Sequence, residues 1–272
     1  MAYLSMSDGA RIFYLDEGEG RSIVMVHGWK ASCSVYEKPC QLLTDEFRCI
    51  RYDQCGHVRS TAPKKEMKIR DLGVHLREIT AALCTEKPVL VGWSMGAATV
   101  MEYIRQFGCR DVAGVVFVDY PPKIRSSETW KFGRNVPDKE LNELLRLADT
   151  DFRQFLYAYY MRTNADYPDL DEAARQKMID ERMQGHDPAL LASLWKDINE
   201  TDYLNILPEI SVPAAVFYAD RKPVCCQGAA EYYAQHIPGG AKLVKFEGAS
   251  HALISEQPER FAKELRDFVR GI

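Results

Sequence analysis

The stretch Val89-Leu90-Val91-Gly92-Trp93-Ser94-Met95-Gly96-Ala97-Ala98 constrains this chain more than any other. It reads as a buried strand that turns sharply into a helix with one serine at the bend. Pro88 precedes the run of apolar residues, and the residues from Ala97 to Phe107 carry helical spacing toward a Gly108 that can end the helix. Gly92 and Gly96 flank the bend in the pattern G-x-S-x-G. A side chain at either position would collide with the opposite limb of so tight a turn, and the serine between them sits in a strained backbone conformation. That arrangement exposes a hydroxyl at the carboxyl end of a strand, so Ser94 is read as a candidate nucleophile rather than as a turn-forming serine.

The remainder of the chain alternates strands and helices. Residues 10–15 alternate as a strand between Gly9 and the turn Glu17-Gly18-Glu19-Gly20, and are expected to open the sheet as part of a hairpin. Ser22–Val26 is a continuous apolar run, as a strand covered on both faces requires, and it leads into His27-Gly28-Trp29. Helical spacing follows over 34–43, a strand over 47–53, a loop from Gln54 to Ser60 and a helix over 70–84. Beyond the serine bend, residues 112–118 form another buried strand that ends at Asp119-Tyr120-Pro121-Pro122. Over 123–207 charge rises, β-branched runs vanish and helical stripes take over, which reads as a helical insertion. The sheet resumes over 212–219 and 241–246, with a helix from Gln227 to His236 between them and an amphipathic helix over 258–269 to finish. Such alternation implies an α/β fold with a mostly parallel, doubly wound sheet whose site lies at the carboxyl ends of the strands. The loops carrying His27-Gly28-Trp29, Asp53 to Ser60, Ser94-Met95, Asp119 and His251 then meet at one edge.

A length of 272 residues suits one such core with an insertion. The net charge of −4 provides no global positive field to draw nucleic acid or an anionic membrane, so a small-molecule substrate is expected. No apolar run approaches the roughly 18 residues of a membrane span, and the first twenty residues lack a basic segment leading into an apolar one; the expected location is cytoplasmic. Eight cysteines in such a chain are read as free thiols, and adjacent Cys225-Cys226 as a loop, with no metal site.

On four motifs the chain resembles the α/β-hydrolase superfamily, in particular its small soluble members with a helical cap inserted after the sixth strand. The motifs are His27-Gly28-Trp29, the D-x-x-G-H run at 53–57, Gly92-Trp93-Ser94-Met95-Gly96, and EGASHALISEQPERF at 247–261. The resemblance implies an α/β-hydrolase core over 1–122 and 208–272 and a cap over 123–207. It also implies a cofactor-independent triad in the chain order Ser, Asp, His: Ser94 attacks a carbonyl, His251 carries the proton, and an acid orients His251. The backbone N–H groups of Trp29 and Met95 would form the oxyanion hole. His27 and His57, each next to a glycine, are read as structural.

Two departures from the family pattern stand out. In the loop after Asp53 the family pattern is D-x-R-G-x-G-x-S, and here Cys55 replaces the arginine and Val58 the second glycine. A β-branched residue adopts positive φ poorly, so that loop is either strained or rerouted. The acid is the second departure. Its usual place after the post-cap strand holds Lys222, which would repel an imidazolium. Asp119, where a subset of the family carries its acid, is the first choice and Asp220 the second.

The expected activity is hydrolysis of an ester, lactone or related acyl bond in a small, partly apolar molecule. The alternatives are a cofactor-free oxygenase or a non-haem haloperoxidase/perhydrolase on the same fold, and a small-ligand receptor. Aromatic residues of the insertion, among them Trp130, Phe132, Phe155, Tyr159 and Trp195, are read mainly as the cap's own core. Substrate identity and oligomeric state stay open at this level.

Overall fold

The computed structural model describes residues 2–64, 66–134, 137–163 and 167–272. Eight strands form one sheet: β1 Ala2–Ser5, β2 Arg11–Glu17, β3 Ser22–Val26, β4 Arg48–Tyr52, β5 Val89–Trp93, β6 Gly114–Val118, β7 Ala214–Ala219 and β8 Lys242–Phe246. Their spatial order is β1-β2-β4-β3-β5-β6-β7-β8. The first three neighbours pair as an antiparallel edge (β1 with β2, β2 with β4), and every later pairing is parallel. The α/β, mostly parallel reading of the sequence therefore holds.

The central strands are buried along their length, except for the partly buried Trp93 at the end of β5, which is why they read as apolar strings. Alternate residues feed two separate cores. Val24, Leu90, Val115 and Phe117 point to the face covered by α2 (Ile69–Leu83) and α3 (Met95–Phe107). Ile23, Val89, Val91 and Val116 point to the other, where α10 (Pro258–Arg270) lays Phe261, Ala262, Leu265, Phe268 and Val269 against them. Proline in the first turn of α10 costs no hydrogen bond there and fixes the helix start.

Two local expectations change. Ala2–Ser5 is a strand that the sequence reading left out; it is the upstream partner of the expected hairpin, paired Ala2 to Tyr14 through Ser5 to Arg11. The helix expected over 34–43 is a 3₁₀ turn, Cys33–Tyr36, followed by the short α1, Glu37–Gln41. Ser32 caps the 3₁₀ turn by accepting from the Ser34 amide, and Pro39 lies within α1, so a long regular helix has no room to form.

Among the described residues four α-helices fall between β6 and β7: α4 Asp138–Thr150, α5 Phe152–Thr163, α6 Glu172–Met183 and α7 Pro188–Glu200. They enclose a cluster of their own, including Leu144, Phe155, Leu156, Leu191 and Trp195. The α7 helix joins this cluster to the main core, because Leu190, Leu194 and Ile198 repeat every four residues on its opposite side and belong to the sheet-side cluster. Helices α8 (Gln227–His236) and α9 (Leu253–Glu256) complete the chain.

Candidate active site

The bend after β5 forms because two glycines allow close approach. A Cβ on Gly92 would lie 2.4 Å from the Gly96 carbonyl oxygen, and one on Gly96 would lie 2.0 Å from that of Val26. Ser94 between them has φ 54 and ψ −122, a conformation a non-glycine residue holds only when its surroundings enforce it. Its amide donates to the Val118 carbonyl at 3.0 Å, and its carbonyl accepts from the Ala97 amide at 2.9 Å, so strand and helix grip the bend from both sides.

Two further loops and the first turn of α3 surround Ser94. Gly28 lies so near that a Cβ there would meet the Ser94 Cβ at 3.0 Å, which puts the Gly28–Trp29 peptide beside the serine. The Met95 amide is in the first turn of α3, where helix N–H groups have no intrahelical acceptor. His251 follows β8, and its backbone carbonyl accepts the Trp93 indole N–H at 2.9 Å. The two rings lie 5.3 Å apart, so the residue before the serine also holds the histidine loop.

Asp119 is completely buried at the end of β6, with φ 45. Its Oδ2 stands 2.6 Å from His251 Nδ1 and also accepts the Val224 amide at 3.0 Å; Oδ1 accepts the Cys225 amide at 3.1 Å. Asp220 is engaged elsewhere. Its carboxylate accepts the Gly248 amide at 2.8 Å and pairs with Lys245 Nζ at 3.2 Å, so it braces the two loop ends and does not reach His251. Among the described residues Ser94 Oγ makes no hydrogen bond, to His251 or otherwise, although both side chains line one cavity of about 260 Å³. Such contacts commonly close only around a bound substrate.

The other histidines near the site have structural partners. His27 is fully buried; its Nε2 accepts the Gln54 amide at 2.9 Å, so its proton sits on Nδ1 and donates to the Gly28 carbonyl at 2.7 Å. Burial pushes its pKa down to about 4, and burial likewise holds that of His57 well below the usual range. His57 Nε2 accepts the Lys30 amide at 3.2 Å while Nδ1 faces the Cys55 carbonyl at 3.1 Å. The loop after Asp53 takes the strained of the two forms its sequence allows: Val58 has φ 43 and is 43% exposed. In the same loop Arg59 pairs with the buried Asp53 carboxylate at 2.6 Å and lies over the Phe13 ring at 3.8 Å. The buried Cys55 thiol is pushed up to about 12 by desolvation, out of the reactive range. The cysteines are free thiols.

The cavity lining includes Lys222, noted above only as an obstacle to the usual acid, and residues the sequence reading did not single out: Lys30, Arg134, Arg182, Arg221, Ser250 and Glu256. The only signal in the sequence for any of them is position: Lys30 directly follows His27-Gly28-Trp29, and Ser250 and Glu256 lie in the motif around His251. Of the insertion's aromatic residues, Tyr159 and Tyr160 line the cavity, Phe155 and Trp195 pack in the helical cluster, Trp130 is buried in the main core and Phe132 is exposed. Trp29 lines the cavity while its indole N–H donates to the Leu191 carbonyl at 2.8 Å, and its ring packs edge-on against Phe152, Phe155 and Tyr159.

A sequence model of the alpha/beta hydrolase fold family matches residues 21–258 of the chain. The chain belongs to that family. Among curated relatives, a non-heme haloperoxidase of Rhodococcus erythropolis is 25% identical over 277 residues, covering all of both chains. A pimeloyl-[acyl-carrier protein] methyl ester esterase of Aliivibrio fischeri is 23% identical, covering 95% of this chain and 97% of its own. Among solved structures, a bromoperoxidase from Bacillus anthracis superposes with a TM-score of 0.84 at 22% identity, covering 99% of this chain and 100% of the other. Among the described residues of this hydrolase-fold chain, no helix is long and apolar enough to cross a membrane.

Proposed function

We propose that the chain is a cofactor-independent serine hydrolase that cleaves an ester, lactone or related acyl bond of a small molecule. Ser94 is the nucleophile: His251 Nε2 takes its proton as Oγ attacks the acyl carbon and then delivers that proton to the leaving oxygen. Water repeats the sequence on the acyl-enzyme and releases the acid. Asp119 fixes the His251 tautomer with the proton on Nδ1 and stabilises the imidazolium formed during each half-reaction. The Trp29 and Met95 amides bind the oxyanion, and residues 123–207 act as a cap over the core of 1–122 and 208–272.

The observation that carries this reading is the strained Ser94 opening into the same cavity as a histidine whose far nitrogen is held 2.6 Å from a fully buried carboxylate. The esterase among the relatives supports it. A second reading, perhydrolysis, is favoured by the haloperoxidase among them: hydrogen peroxide in place of water would attack the same acyl-enzyme and release a peracid.

Turnover on a panel of esters and lactones, together with labelling by a fluorophosphonate, tests the proposal. Ser94→Ala should abolish both and leave the fold intact, with a loss of several orders of magnitude in kcat. A tenth of wild-type activity surviving in that variant would overturn the assignment. Peracid formation from a carboxylic acid and hydrogen peroxide separates the two readings.

A further inference from the structure

The cavity over Ser94 is basic in a chain that carries a net charge of −4. Its lining contains Lys30, Arg134, Arg182, Arg221 and Lys222 against one carboxylate, Glu256. That carboxylate is already engaged: it accepts the Ser250 amide at 2.7 Å, the Ser250 hydroxyl at 2.6 Å and Arg221 at 3.1 Å. The excess of positive charge is therefore not neutralised within the cavity wall.

Lys30 is the unusual member. It is only 4% exposed, it adopts φ 58, and its Nζ is buried with no hydrogen-bond or ion-pair partner among the described residues. Its surroundings are basic rather than acidic: the His57 ring receives its amide, and Arg182 acts on it from α6. The nearby acid Asp53 is occupied by Arg59 and by the Cys33 amide at 2.8 Å. Burial, reinforced by Arg182, brings the Lys30 ammonium down to about 7. A buried amine beside another cation is unfavourable in the empty protein. It becomes favourable once an anion lies between them, because each contact is then a charge-assisted hydrogen bond in a low-dielectric site.

The geometry points to a substrate that carries a carboxylate on the part remote from its scissile acyl bond, with Lys30 and Arg182 as the recognition pair for that group. This rests on the hydrolase reading for its placement of the acyl carbon at Ser94, but recognition itself requires no turnover. A carboxylate fits better than a larger polyanion in a cavity of about 260 Å³ that must also hold the acyl chain.

Binding tests the inference independently of catalysis. In the Ser94→Ala protein, calorimetry would compare monomethyl adipate with methyl hexanoate, esters with the same six-carbon acyl chain ending in a carboxylate or a methyl. Monomethyl adipate should bind at least about tenfold more tightly. Arg182→Ala, a change on an exposed side chain, and Lys30→Met should each reduce that preference severalfold. Lys30→Met should also raise the melting temperature of the ligand-free protein, because it removes an unpaired buried amine. Equal affinities, no detectable binding of monomethyl adipate, or a preference that survives both substitutions would overturn the inference. None of those results would touch the hydrolase reading, which falls only if acyl turnover proves independent of Ser94.

Discussion

Replacing Asp119 by asparagine isolates the charge of the buried carboxylate while keeping its size. Three donors converge on it, the amides of Val224 and Cys225 and Nδ1 of His251, and they are shared between two oxygens. Asparagine offers one oxygen and one NH₂, so one side must confront a donor. If the oxygen takes the Oδ2 position, it keeps the Val224 and His251 contacts and the NH₂ group opposes the Cys225 amide. If it takes the Oδ1 position, the NH₂ group faces His251, forces the ring into the wrong tautomer and points an N–H at Ser94. Either arrangement leaves a buried backbone donor unsatisfied, at about 1–3 kcal/mol of stability. For a chain of this length that lowers Tm by about 2–5 °C. Loss of the negative charge beside the imidazolium should lower kcat by about 10⁴, the drop known for amide replacement in a serine-protease triad, equivalent to about 5.4 kcal/mol of barrier. KM should change little, since the carboxylate touches no substrate. Steady-state kinetics on the best ester together with a thermal melt give both numbers. Asp220→Asn, which alters only the contacts to Gly248 and Lys245, is the control and should keep kcat within about threefold. A kcat for Asp119→Asn within tenfold of wild type, or a larger loss in Asp220→Asn, would refute the role given to Asp119.

Other perturbations are predicted from the same geometry. Gly96→Ala puts a Cβ 2.0 Å from a backbone oxygen that cannot move without shifting β3, so the protein should lose more than about 4 kcal/mol and fail to express as folded material; an unchanged melt would refute this. Val58→Gly exchanges a left-handed strain of about 1–2 kcal/mol for a glycine entropy cost of about 0.5–1 kcal/mol plus the loss of a half-exposed side chain. Stability should therefore stay level or rise slightly, and a fall in Tm beyond about 5 °C would mean that Val58 packs usefully. Acid should destabilise the fold before ordinary carboxylates titrate. His27 is buried in its neutral form with a folded pKa of about 4, so between pH 6.5 and 4 the unfolded chain binds more protons and stability declines with falling pH. The decline from His27 is on the order of 3 kcal/mol, and a urea-unfolding free energy that stays constant from pH 6.5 to 4.5 would contradict it.

What could be read from the sequence depended on whether a feature was local. The bend at Ser94 was legible because its glycines, its strand and its helix all lie within twenty residues, and each has its own chemical signature. Asp119 was proposed as the acid over Asp220 because Lys222 occupies the usual place and a subset of the family carries its acid after this strand; in the structure its carboxylate lies 2.6 Å from His251. β1 escaped because it is an edge strand whose four residues alternate between partly buried and exposed, with no apolar run to mark it. The helix over 34–43 was overcalled because apolar spacing alone does not register the Ser32 cap or the interruption at Pro39. Lys30 was least legible. A lysine next to a tryptophan reads as surface, yet it is buried, and it shares its cavity with Arg182 of α6, more than 150 residues away in the chain.

Trp29 ties the evolution of this chain's two parts together. Its backbone lies beside Ser94, while its indole is seated in a socket built by Phe152, Phe155, Tyr159 and the Leu191 carbonyl. An insertion lacking those residues would leave the tryptophan without the partners that hold it. Residues 123–207 are thus poorly suited to exchange as a module. A recombinant carrying a foreign insertion should regain function fastest through compensating changes at position 29, not through changes at the serine, the histidine or the acid.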